Sequence, residues 1–237
     1  MRKLGLVGGM GPESTLVYYH DLVYGVMRKL GRDEFPPLTI ESVNVFRMLG
    51  YEEEDRLDDL VDYLSRALDH LAAAGADFAA LSANTPHVVF GQLRERSGLP
   101  LVSIIECARD EAVARGYHRI GLLGTTPTMT RSFFKEPFKD AGIEVVTPDM
   151  ADAALVARRI SDELEHGIKR PATLVELQRI IADMQTDKGI ESIVLGCTEL
   201  PMLLSDETSP VPCLDTLRIH VDTLVDMILG EQDLPKV

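Results

Sequence analysis

Long apolar runs are missing from these 237 residues; none reaches about 18, which excludes a membrane-spanning helix. Cationic side chains are scarce. Lys and Arg total 24 against 38 Asp and Glu, for a net charge of −14. That field repels a polyanion, so nucleic-acid partners are discounted. An anionic ligand would in turn need donors placed locally, such as helix N-termini, hydroxyls or one positioned cation. Cysteine is sparse too: Cys107, Cys197 and Cys213 are odd in number and far apart. They read as free thiols in a reducing compartment, not as a disulfide frame or a zinc site. Met1-Arg2-Lys3-Leu4-Gly5 lacks the apolar core and cleavage site of a signal peptide, so a cytoplasmic protein is expected.

What is present is alternation. With 45% apolar and 26% charged residues the chain has the composition of a globular protein. Apolar segments predict strands at 4–8, 38–43, 78–83, 101–103, 119–124, 143–147, 192–196 and 211–213. Helical patterns separate them. The clearest runs from Glu52 to Ala74, with Leu57, Leu60, Leu64, Leu68 and Leu71 at three- and four-residue steps and Gly75 as its stop. Strand–helix alternation with near-continuous apolar strands predicts the α/β class, with parallel sheets covered by helices.

The chain also resembles itself. Lys3-Leu4-Gly5-Leu6-Val7-Gly8 matches Arg119-Ile120-Gly121-Leu122-Leu123-Gly124, 116 residues on. The segment 77–85 matches 191–199, 114 residues on. Two nearly equal offsets predict two similar α/β lobes. No boundary is rich in Gly or Ser, but Ser97-Gly98-Leu99-Pro100 and Pro210-Val211-Pro212 suit crossovers. The expected lobes are 1–98 with 213–237, and 99–212. Open α/β sheets bind ligands beyond the carboxyl ends of their strands. Facing lobes would then bring residues 83 and 197 to one cleft from opposite sides.

Three strand ends carry residues with chemistry. Gly8-Gly9-Met10-Gly11-Pro12-Glu13-Ser14-Thr15 is glycine-rich, yet Ser14 fills the third glycine position of a dinucleotide fingerprint. Glu13 would also set a negative charge where a phosphate must sit. A glycine-lined wall with Met10 against a small ligand fits better. In Asn84-Thr85-Pro86-His87, Thr85 and Pro86 suit a helix start. The same backbone N–H groups and the side chains of Asn84 and Thr85 could hold a carboxylate. His87 reads equally well as a helix-surface residue. In Gly196-Cys197-Thr198-Glu199 a thiol follows a strand, where a helix N-terminus would favour thiolate and Glu199 would oppose it. Cys107 and Cys213 read as core residues.

These three motifs, continued by Leu200-Pro201, resemble the aspartate/glutamate racemase superfamily in order and over nearly the whole chain. The likeness is greatest to the bacterial aspartate or broad-specificity amino-acid racemases. It implies two Rossmann-like lobes related by pseudo-symmetry, no pyridoxal or other cofactor, no metal, a small carboxylate or amino-acid substrate, and a homodimer. The mechanism it implies uses a cysteine on each face of the substrate, one removing the α-proton and one returning it. The second cysteine is Cys197. The first position holds Ala83, whose methyl group carries no proton, while Ser82 should point to the other face of its strand. The resemblance carries substrate contacts onto Met10, Asn84, Thr85, Thr126, Thr198 and Glu199. It adds Arg47 or Glu52, in the loop that holds a side-chain carboxylate, and Lys169 after Gly167. Alternatives open at this point are a single-cysteine decarboxylase of the same superfamily and a non-catalytic amino-acid or dicarboxylate binder.

Overall fold

The computed structural model describes residues 1–236 as two compact α/β units. The first comprises Met1–Ile104 together with the C-terminal segment from His220, and the second Ile105–Ile219. Among the described residues no helix is long and apolar enough to cross a membrane.

In the first unit the elements run β1 (Leu4–Gly8), α1 (Pro12–Leu30), β2 (Leu38–Ser42), α2 (Val45–Glu53), α3 (Leu57–Ala73), β3 (Phe78–Leu81), α4 (Phe90–Arg96) and β4 (Leu101–Val102). The second continues with α5 (Ile104–Ala114), β5 (Arg119–Leu123), α6 (Thr126–Thr130), α7 (Ser132–Asp140), β6 (Glu144–Val146), α8 (Met150–Asp162), α9 (Pro171–Lys188), β7 (Ser192–Leu195) and β8 (Cys213–Asp215). From its fifth residue, His220, α10 (Thr216–Leu229) belongs to the first unit.

Each unit holds a four-stranded sheet, ordered β2-β1-β3-β4 in the first and β6-β5-β7-β8 in the second, with all pairings parallel. The fold is α/β, and the strand order occurs twice. The inner strands β1, β3 and β7 are buried at every residue because helices cover both faces. The edge strands β2 and β6 are only half-covered. In the first unit Leu60, Leu64, Leu68 and Leu71 form the buried stripe of α3 against Val7, Ala79 and Leu81. Each such leucine contributes roughly 1.5–3 kcal/mol of apolar transfer.

Several expected boundaries move for identifiable reasons. The predicted helix from Glu52 to Ala74 is two helices, α2 and α3. The chain breaks over Glu54–Arg56, where Asp55 takes a left-handed φ of 55°. Asp is one of the few side chains to accept that conformation, and the leucine repeat reports only the second helix. Arg47 and Glu52 therefore lie on α2 rather than in a loop, with Arg47 exposed and Glu52 buried. The strand expected at 211–213 forms instead at Cys213–Asp215, because Pro210 and Pro212 have no N–H for the ladder.

Candidate active site

The first strand end is built on glycine. Gly9 sits at φ +78°, and a Cβ there would lie 2.3 Å from the Val43 carbonyl oxygen. The loop is tied from both sides. Gly9 N–H donates to Thr15 Oγ1 at 2.9 Å, and Val43 N–H donates to the Gly8 carbonyl at 2.9 Å. The side chain of Met10 is buried in the first unit's core with Val7, Leu81 and Ala83.

Beyond β3, Ala83 is buried in that same core, and Ser82 is fully buried but outside it, as strand alternation requires. The segment that follows is a five-residue 3-10 helix, Thr85–Val89, and not an α-helix. Asn84, not Thr85, stands in the capping position, and it makes no side-chain cap bond. Asn84 is buried and Thr85 half-buried. His87 is also buried, contrary to a place on a helix surface. Its Nδ1 donates to the carbonyl of Ala83 at 3.0 Å, and its ring stacks on Phe90 at 4.5 Å. Burial lowers its pKa to about 3, so the ring is neutral near pH 7.

In the second unit the matching strand end carries the thiol. Gly196 has no room for a side chain: a Cβ would lie 2.8 Å from Leu122 Cδ1 and 2.9 Å from the Leu123 carbonyl oxygen. Its N–H donates to that carbonyl at 2.7 Å, which fixes where Cys197 emerges. Cys197 is 8% exposed. Its Sγ donates to Glu199 Oε2 at 2.9 Å, and Thr198 Oγ1 donates to the same oxygen at 2.9 Å. Only a three-residue 3-10 turn, Leu200–Met202, follows. The expected helix N-terminus is therefore too short to favour thiolate. Burial, then the negative charge of Glu199, raise the thiol well above its ordinary range, and Glu165 adds to the shift. The resting group is a thiol. Cys107 lies in α5 and Cys213 on β8; both are buried and free.

Two residues absent from the sequence reading complete this half. A cavity of about 300 Å³ is walled by Thr126, Pro127, Ala157, Ile160, Arg158 and Glu165, among others. The carboxyl of Glu165 is held above its ordinary range by partial burial and by the negative charge of Glu199, while His166 opposes the shift. It thus links the cavity to the Cys197 motif. Nothing local marked Glu165 or Arg158, since 32 residues of chain separate Glu165 from Cys197 and α8 reads as an ordinary amphipathic helix. Lys169 is exposed, two residues beyond Gly167, which ends a 3-10 turn at φ 71°.

The family profile described as Asp/Glu/Hydantoin racemase matches residues 7–224. The chain belongs to that family. It is similar to the broad-specificity amino-acid racemase RacX of Bacillus subtilis, 23% identical over 97% of this chain and 99% of the relative. Among solved structures it is similar to a Yersinia pestis protein provisionally described as an Asp/Glu racemase. That chain superposes with a TM-score of 0.91 at 33% identity, over 97% of this chain and all of that one. An aspartate racemase homologue from Pyrococcus horikoshii OT3 gives 0.82 at 34% identity, over the same shares. The family's fold of two α/β lobes is the fold described above. The family's racemases are isomerases, and the motifs around positions 10, 84 and 197 all lie within the matched span.

Proposed function

We propose that the protein acts on the α-carbon of an amino acid through a single thiol, that of Cys197, without a cofactor. One observation carries the reading: Cys197 holds a buried, hydrogen-bonded S–H at the end of β7, while Ala83 offers only a methyl group at the corresponding end of β3. Glu199 accepts the thiol hydrogen bond and so gives the proton a place to go. Once the thiolate forms, it takes the α-proton. The C–H bond breaks, an S–H bond forms, and the electron pair passes into the substrate carboxylate as an enolate. Asn84, Thr85, Thr126 and Thr198 are the donors assigned to that carboxylate, with Met10, Glu52 and Lys169 as further contacts. A cytoplasmic homodimer fits this reading. Leu16, Tyr19 and Tyr24 expose apolar surface along α1, with Phe35 against Tyr24, which suits a subunit contact.

Incubation in deuterium oxide tests the proposal. One enantiomer should lose its α-proton signal with little change in optical rotation, because a thiol on one face returns the deuteron to that face. Inversion as fast as exchange would show that another group serves the second face. Binding without exchange in either enantiomer would remove catalysis from the reading.

A second reading has one observation in its favour. A sulfur held as thiol is poised to give a proton rather than to take one. That suits protonation of an enolate formed by loss of carbon dioxide from a malonate. Carbon dioxide release from a disubstituted malonate, with no α-proton exchange in amino acids, would establish it.

A further inference from the structure

The charges around Cys197 carry information about the substrate's side chain. Glu165 and Arg158 line one cavity, yet they form no ion pair with each other or with any other side chain among the described residues. Their neighbours do pair: Arg159 bridges Glu163 and Glu176, and Arg179 binds Asp152. Glu199 likewise has only the hydroxyl of Thr198 and the thiol of Cys197 as partners, and no cation. Apolar walls from Pro127, Ala157 and Ile160 separate the two unpaired charges from bulk solvent on the remaining sides. The ensemble holds one cation and two carboxylates.

We infer that this cavity receives the substrate's side chain and that Glu165 selects amino acids with a neutral or cationic side chain against dicarboxylates. The inference rests on the amino-acid reading above and specifies the substrate class at that site. Every α-amino acid brings one carboxylate and one ammonium group, which the single free guanidinium and the two carboxylates can match. A second carboxylate in the substrate would meet Glu165 and Glu199 with no cation left to receive it. A side-chain ammonium would instead be drawn to Glu165. An approaching cation would also offset the charge that holds Cys197 as a thiol, so binding and thiolate formation favour each other. Glu165 is partly solvated, so the preference is strongest at low ionic strength.

The test uses the intact protein and protection of Cys197 from iodoacetamide at low salt. Lysine, ornithine, methionine, alanine, aspartate and glutamate, each in both hands, are the probes. Lysine or ornithine should protect at concentrations at least about ten-fold lower than aspartate or glutamate, the scale of one extra unscreened charge. Glu165→Gln should shrink that gap, Glu165→Lys should reverse it, and Glu165→Asp should keep it. Aspartate or glutamate protecting best in the unaltered protein would overturn the inference and leave the amino-acid reading standing. An unchanged ranking in Glu165→Gln would overturn the role of Glu165. Protection by no amino acid at all would overturn both.

Discussion

Cys197 and Glu199 are joined by a 2.9 Å hydrogen bond in which sulfur donates and the carboxylate accepts, so the charge of one sets the protonation of the other. Glu199→Gln removes that charge and the strongest acceptor of the S–H. The thiol pKa should then fall toward about 8.5. Alkylation of Cys197 at pH 7 should quicken about ten-fold for each unit of that fall. An unchanged alkylation rate would mean that burial alone governs the thiol.

Cys197→Ser should abolish exchange and turnover while leaving the circular dichroism and melting temperature close to those of the parent. A serine hydroxyl occupies nearly the same space but is far too weak an acid to replace the thiol. Residual turnover near the parent level would remove Cys197 from the chemistry.

Ala83→Cys supplies a thiol where the family's two-donor mechanism expects one. Racemisation should rise by at least about 100-fold, the lower end for a general acid–base group. Optical-rotation decay of single enantiomers measures it. No rise with any amino acid would mean that position 83 no longer points at substrate.

The backbone at Gly196 is closed to side chains, since a Cβ would press on Leu122 and on the Leu123 carbonyl. Gly196→Ala should therefore destabilise the protein by about 1–3 kcal/mol through overpacking. Loss of exchange should exceed what the stability change explains, because the thiol moves with the strand end. A melting temperature equal to the parent's would contradict this account.

Two buried histidines make stability depend on pH. Burial lowers both His87 and His220 from an ordinary value of 6.5 to about 3. Between those values the unfolded chain binds protons that the folded chain does not, so stability falls as pH drops from 6.5 toward 3. The slope approaches about 1.4 kcal/mol per pH unit for each histidine. Urea midpoints at pH 7 and pH 5 measure it. His220→Phe, which also loses the 2.7 Å bond to Tyr18, should flatten the dependence by about half.

The sheets were legible in the sequence because buried parallel strands are written as unbroken apolar runs, as at Leu4–Gly8 and Ser192–Leu195. The repeat was legible because it preserved those runs at nearly one spacing. The break between α2 and α3 was not, since residues 52–56 are polar and carry no periodicity of their own. The site divides in the same way. Cys197, Ala83 and Asn84 stand in local motifs that reading along the chain can find. The state of the thiol could not be read, because it depends on burial and on which way Glu199 turns. Glu165 was hidden for a related reason: its bearing on Cys197 comes from the packing of α8 and the turn after it beside β5 and β7, not from any spacing.

The doubled strand order has a consequence for how such a chain can change its trade. Each sheet repeats one frame, in which the third strand in sequence ends in a position able to hold a thiol. Because each thiol position answers to its own glycine-bounded strand end and its own core, one can be lost without unsettling the other. A lineage can therefore drop a proton donor at 83 and keep the fold, the hydroxyls and Cys197. Stereochemical outcome becomes a property edited one residue at a time, upon an architecture that registers the edit as no more than a methyl group in a core.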